Sequence, residues 1–492
     1  MAGAAAAALG WGPVVALGGL VVWLGWRSRA WPLVHDAPIM HYVAWRIAGG
    51  AVPYRDLFDM NFPGTYLLHL AVLGLLGPGD GAWRAFDLAW LGAGAGAVAA
   101  LAAAWGGLAA AGGALLFAAH HLAGGAWQAG QRDFLLCPFL LLGALGVARW
   151  AEARGGVAGL AGGGLALGAG LTVKPHAALL AGALVGFLAW TTPAPRRRPA
   201  LVAFGAGLAA APLAVVAWLA AEGGLSAWRA IVFDYLIPLY SRLGRPATWG
   251  FHRWTVWVPV AGAAALAVTT ALARRRFGPR HAVTLIGTAY GLAHYFGQGK
   301  GWEYHLYPFA AFAAVLAFSE LSALLGAGRW PAAGAVAACL LASAAGLAVK
   351  GAEAAAAAET GWIADKQRRV QAVVEALRPR LGAGERIQVL DTTEGGLHAL
   401  LRLRAVQPTR FLYDFHFFHD AGTPVVQALR RELVGGLVAC PPRFIVLFGR
   451  GWPAGGYERV EAFPELARLL ATRYRLDRDA DGFRIYAKRD DP

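Results

Sequence analysis

The residue types that do chemistry gather in four stretches of this chain. Residues 35–64, HDAPIMHYVAWRIAGGAVPYRDLFDMNFPG, hold Asp36, Asp56 and Asp59 with Arg46, Arg55, His35 and His41. Arg132 and Asp133 stand together in QRDF, and Lys174 and His176 flank Pro175 in LTVKPHAALL. Lys300, Glu303, Tyr304 and His305 crowd into GKGWEYHLYP. A carboxylate within hydrogen-bond reach of a hydroxyl takes its proton as the oxygen attacks; acids also hold divalent cations. Cationic side chains bind a phosphate and stabilise the charge it gains on departure. A reaction that activates a hydroxyl and releases a phosphate needs both functions at one place.

Each group also has a plain structural reading. Asp36 opens an amphipathic stretch (Met40, then Tyr42 to Ile47), where an Asp can cap a helix; base and cap both stand open. Asp133 opens an apolar run and can cap it too, while Arg132 can pair with Asp133 or with a phosphate. Lys174 and His176 interrupt an apolar run. Ionisable residues at such depth are costly and usually face a cavity, which outweighs a snorkelling lysine. The cluster at Lys300 is either a solvated loop or, with Trp302 and Tyr307, the wall of a site. His120 and His121 read as packing or interfacial residues. Arg55 and Asp59 of the first stretch join the candidate binding set.

These residues need elements to position them. The chain has 492 residues, 58% hydrophobic and 15% charged, with mean hydropathy +0.48. Soluble domains carry about 25% charged residues, so this is a polytopic membrane protein. Its 66 glycines suit membrane helices packed backbone to backbone. The net charge of +15 gathers partly in short loops between apolar runs. That is topology information and no nucleic-acid footprint. Cys137, Cys339 and Cys440 form neither a disulfide framework nor a zinc spacing. The first apolar run has no basic segment before it and no small-residue cleavage site after it, so it reads as an uncleaved helix.

A membrane helix needs about 20 apolar residues. About eleven spans are expected, near 5–26, 83–107, 108–126, 134–150, 157–172, 176–191, 200–221, 253–273, 281–297, 304–327 and 330–349. The basic loops 196–198 and 274–280, with Arg149, Arg154 and Arg329, are all cytoplasmic under the positive-inside rule. That parity holds only if residues 62–77 lie in the interface as a juxtamembrane helix. The first loop, residues 27–82, is then outside with the other polar stretches, and residues 1–350 form the membrane domain. Residues 351–492 alternate helical and strand patterns (RIQVLD, RFIVLF, then YRLDRD and FRIYAKR around Ala-Asp-Gly). They predict a small extracytoplasmic α/β domain with a partly parallel sheet. No Gly-rich phosphate loop opens its helices, so it reads as a lid or support.

In order and topology these motifs resemble the GT-C superfamily of integral-membrane glycosyltransferases, in the branch of aminoarabinose and protein O-mannosyl transferases. The resemblance runs through nearly the whole chain. It includes Asp36 followed by Tyr42 and Ala44, GGAVPYRDLFDMNFPGTYLL, Arg132-Asp133, Lys174-Pro175, residues 300–308 and the α/β tail. It implies a GT-C-like helical membrane domain in the bacterial inner membrane, a polyprenyl-phosphate sugar donor, a lipid or glycan acceptor, and transfer with inversion. It further implies that Asp36 is catalytic and that Asp133 helps form the site or, with Asp36, holds a divalent cation such as Mg or Mn. Lys174, Lys300 and His305 carry over as phosphate ligands, beside Arg132, His176, Glu303, Tyr304, Arg55 and Asp59. The first motif here is His35-Asp36-Ala37 where the family commonly has Asp-Glu. The alternative is a flippase or transporter of lipid-linked sugars, with polar residues along a path through the membrane. Their concentration at one side, and the lack of a repeated half, favour the enzyme.

Overall fold

The computed structural model describes residues 2–244 and 256–489. From the N-terminus, α1 (Ala2–Arg27) leads to α2 (Ala37–Ala48) and α3 (Pro63–Leu75) of the first loop. There follow α4 (Asp80–Ala102), α5 (Gly107–Gly124), α6 (Arg132–Ala151), α7 (Val157–Val173), α8 (Ala177–Thr191), α9 (Ala194–Ala221) and α10 (Leu225–Ala230). The membrane domain closes with α11 (Trp257–Ala273), α12 (Pro279–Gly297), α13 (Tyr307–Gly326) and α14 (Trp330–Glu359). Segments built on α1, α4, α5, α6, α9, α13 and α14 are long and apolar enough to cross a membrane. Helices α3, α7, α8 and α11 are apolar and shorter. This is an integral membrane protein. The start of the span expected at 253–273 lies outside the described residues. Helix α12 falls outside the apolar set because it carries Arg280, His281 and His294.

Helix α3 is one of the shorter apolar helices. Its 13 residues extend about 20 Å at 1.5 Å per residue, against a hydrocarbon core of about 30 Å. Pro63 pre-sets its first turn. It packs on α2 and on α7. At Gly64 an added Cβ would press into the Thr172 carbonyl group, so only glycine lets the start of α3 meet the end of α7.

The basic loops gather at one end of the bundle. The Arg280 guanidinium donates to both Glu152 oxygens at 2.9 and 2.7 Å and to the Leu101 carbonyl at 3.0 Å. These bonds tie the start of α12 to the ends of α6 and α4. The Ser322 hydroxyl donates to the Trp105 carbonyl at 2.6 Å, bringing the end of α13 to the same place. At the other end, Arg27 of α1 pairs with Glu359 of α14.

Beyond α14 come α15 (Trp362–Leu377), β1 (Ile387–Leu390), α16 (Gly396–Leu403), α17 (Pro424–Ala439), β2 (Phe444–Phe448), α18 (Pro464–Arg473), β3 (Tyr474–Ala480) and β4 (Phe483–Lys488). The sheet order is β1-β2-β4-β3. β1 and β2 are parallel, with Ile387 opposite Phe444, and the remaining pairs are antiparallel. Parallel strands are buried on both faces, as IQVL and FIVLF are here. Gly482, at φ +82, turns the β3–β4 hairpin. The sheet domain does not keep its core to itself. Tyr42, Tyr54, Phe58 and Tyr66 of the first loop share one apolar cluster with Phe411 and Phe417. The Phe58 amide donates to the Arg410 carbonyl at 2.7 Å, and Arg410 donates to the Tyr54 carbonyl at 3.3 Å.

Candidate active site

Asp36 sits at the N-terminal end of α2. Its backbone carbonyl accepts from the Ile39 and Met40 amides at 3.0 and 3.1 Å, but its side chain caps no helix amide. The carboxylate turns instead to Arg132 at the start of α6, with Oδ2 3.2 Å from Nη1. His35 Nε2 lies 3.9 Å from the other oxygen. Burial pushes the Asp36 pKa up. Arg132, His35 and the Gln131 side chain outweigh it and hold the group below the usual carboxylate range. Asp36 is therefore ionised at neutral pH.

This ion pair opens onto a cavity of about 220 Å³. Trp127, Tyr240, Trp302 and Tyr304 form its aromatic wall, and Asn61 enters from the first loop. Thr392, Thr393, Tyr413, Phe415 and Trp452 close it from the C-terminal domain. Asp59, itself buried, holds the edge of this wall. It accepts from the Tyr66 hydroxyl at 2.7 Å and from Asn61 Nδ2 at 2.9 Å, fixing the Met60-Asn61 turn. Burial raises its pKa.

Asp133 belongs to a second cluster. Successive helix residues differ by about 100° in direction, so Arg132 reaches the cavity while Asp133 points into the bundle. Both Asp133 oxygens accept from Lys174 Nζ, at 2.8 and 2.7 Å, and one is also bonded to His294 Nε2. The His176 and His305 rings lie edge-on to His294, with centroids 5.5 and 6.0 Å away. This buried group joins α6, the break between α7 and α8, and α12. Lys174 is committed to Asp133. A cation bound by Asp133 would have to displace it, and Asp36 is engaged by Arg132. The two acids thus do not form a cation cradle. Among the described residues no three His, Cys, Asp or Glu side chains converge on a metal position.

The remaining candidates divide. Tyr304 lines the cavity. Lys300 stands behind its wall, where Nζ donates to the Tyr240 carbonyl at 3.1 Å and lies 4.4 Å from the centre of the Tyr240 ring; burial lowers its pKa to about 8. Glu303 pairs with Lys350. Arg55 is an exposed residue paired with Asp56 at 2.9 Å, away from the cavity. His121 is built into the bundle by bonds to the Tyr307 hydroxyl at 2.8 Å and to Asp87 at 3.1 Å. Sequence reasoning missed His294, although a histidine inside an apolar run (GLAHYFG) is the signal that drew attention to Lys174. It also missed the roof residues of the C-terminal domain, which carry no local signal.

No family model and no curated protein sequence matches the chain. Among solved structures the chain is similar to ArnT from Cupriavidus metallidurans bound to undecaprenyl phosphate. The TM-score is 0.60 at 13% identity, covering 97% of this chain and 98% of that one. The apo structure of the same ArnT aligns with a TM-score of 0.55 at 14% identity, covering 98% of each chain. The likeness extends over membrane domain and sheet domain alike and shows that this chain has the fold of that ArnT.

Proposed function

We propose that the protein is an inverting glycosyltransferase. It moves a sugar from a polyprenyl-phosphate donor to a lipid or glycan acceptor at the extracytoplasmic face of the bacterial inner membrane. The observation that carries this reading is the Asp36 carboxylate, free of any capping role and facing an aromatic cavity beside Arg132. The fold shared with an ArnT that binds undecaprenyl phosphate supports the donor class. The gathering of arginine loops at the opposite end supports the side.

The chemistry follows from the groups at hand. The ionised Asp36 accepts the acceptor's hydroxyl proton as that oxygen bonds to the anomeric carbon. The carbon–oxygen bond to phosphate breaks on the opposite face, which inverts the centre, and its electron pair leaves on the polyprenyl phosphate. Arg132 is the cation nearest this step and offsets the charge gathering on the leaving phosphate. Aromatic walls stack on the apolar faces of the sugar ring, and the roof keeps water from competing as acceptor. The Asp133–Lys174–His294 cluster anchors the helix that presents Arg132.

The test is transfer in proteoliposomes. Purified protein and Asp36→Asn are offered radiolabelled polyprenyl-phosphate sugars with glycan and lipid extracts, with and without chelator. Polyprenyl phosphate released by the wild type and not by the folded variant supports the enzyme. Near-normal release by Asp36→Asn removes the assignment, and labelled lipid crossing the membrane without bond cleavage favours a flippase.

A further inference from the structure

We infer that Lys366, on the C-terminal side of the cavity, is a positioning residue for Asp36, acting through His35. The inference rests on the reading of Asp36 as the base. His35 holds a left-handed backbone, φ +64, a region side-chain-bearing residues seldom occupy and keep only when their surroundings fix them. Its ring is held edge-on between Trp127 and Trp362, with centroids 5.8 and 6.1 Å away. One ring nitrogen, Nδ1, is 3.2 Å from Lys366 Nζ, and the other, Nε2, faces Asp36.

An ammonium can only donate, so Nδ1 must be the acceptor. The neutral ring then carries its proton on Nε2, toward the carboxylate. Burial and the Lys366 charge hold the ring's pKa down to about 4, which keeps it neutral near pH 7. The same ammonium donates to the Thr393 carbonyl at 2.9 Å and lies 3.4 Å from Glu394 Oε1. Its side chain is only 8% exposed. Thr393 is part of the cavity roof. One cation therefore sets the tautomer beside the base and fastens the roof over it, making the C-terminal domain part of the catalytic apparatus. Without Lys366 the ring is free to carry its proton on Nδ1, which turns a nitrogen lone pair toward the carboxylate 3.9 Å away and leaves its orientation to Arg132 and Gln131 alone.

The test compares full-length variants in the proteoliposome transfer assay, with thermal unfolding as the folding control. Lys366→Met keeps the aliphatic length and removes the donor. It is expected to lower kcat tenfold or more with KM for the donor within twofold. Lys366→Arg, again donor-only, is expected to recover most of the loss. His35→Asn tolerates the left-handed backbone and offers an N–H with no tautomers. In that background the Lys366→Met loss is expected to shrink to threefold or less, a non-additivity that a merely structural lysine would not give. Normal kcat in Lys366→Met, or an undiminished loss in the double variant, overturns the inference while an inactive Asp36→Asn leaves the transferase reading standing. Should Lys366→Met not fold, failure of Lys366→Arg to keep at least a third of wild-type kcat overturns it equally. Full activity in Asp36→Asn removes both.

Discussion

Replacing Arg132 by Met separates two duties of one guanidinium. It stands 3.2 Å from the Asp36 carboxylate, with both side chains under 15% exposed. At that distance and an effective dielectric constant of about 20, the pair attracts by about 5 kcal/mol. Burial acts the other way and is the largest single influence on Asp36, so the net hold on its proton is smaller. An aspartate beside an arginine is depressed by about 1–3 pH units, or about 1.4–4 kcal/mol. With Met at 132 the largest influence opposing burial is gone, His35, Gln131 and Lys366 are left to oppose it, and the Asp36 pKa must rise. A base works only when ionised, so activity is lost as pH falls through its pKa. The acid limb of kcat/KM is therefore expected to move up by about 1–3 pH units, and the plateau to fall as well, because the leaving phosphate loses its nearest cation. Arg132→Lys should return the limb most of the way while restoring less of the plateau, since an ammonium lacks the planar fork. The assay is initial-rate transfer between pH 4 and 8 with the Asp36→Asn background subtracted. Wild type is expected to hold its plateau down to about pH 4, and an Arg132→Met profile equally flat over this range would refute the coupling between the pair.

Three further outcomes follow from the same geometry. Lys174→Met strands the buried Asp133 carboxylate and should cost about 3–5 kcal/mol of stability; adding Asp133→Asn should recover much of it, and purely additive melting shifts would contradict the ion pair. Trp452→Ala removes a roof ring that stands 6.0 Å from Trp302, and should raise KM for the donor about tenfold, near 1.4 kcal/mol; an unchanged KM would take the roof out of sugar binding. His41 and His398 are held neutral, the first by burial to about 4 and the second by burial and Arg402 to about 3. The folded rings resist a proton that the unfolded rings accept at 6.5, so their stabilisation is complete above pH 6.5 and shrinks as pH falls toward the folded values. At pH 5 each should have lost about 2 kcal/mol, read as a lower Tm than at pH 7; equal Tm values would sink the sign.

What could be read from the chain was whatever is local. Apolar runs bounded by proline and glycine gave the helices, RIQVLD and RFIVLF gave the buried parallel strands, and an Asp-Gly turn gave the hairpin. Helical phase should have warned that Arg132 and Asp133 cannot serve one site side by side. About 100° of rotation sends the arginine to Asp36 and the aspartate to Lys174 and His294. The open question at Asp36, base or cap, was one that composition cannot decide, because a cap and a base differ only in where the carboxylate turns. Phe58 paired with Phe411, and Thr393 brought over Asp36, lie hundreds of residues apart in the chain, and no local pattern encodes that approach. It arises from packing between the first loop and the sheet domain. Tyr42, Tyr54 and Phe58 must find partners, and the sheet domain supplies them. Burying those rings brings the roof down on the cavity, so the packing that stabilises the domain junction also completes the site. A variant that loosens the junction should then lose donor affinity along with stability, even where the altered residue never touches the sugar.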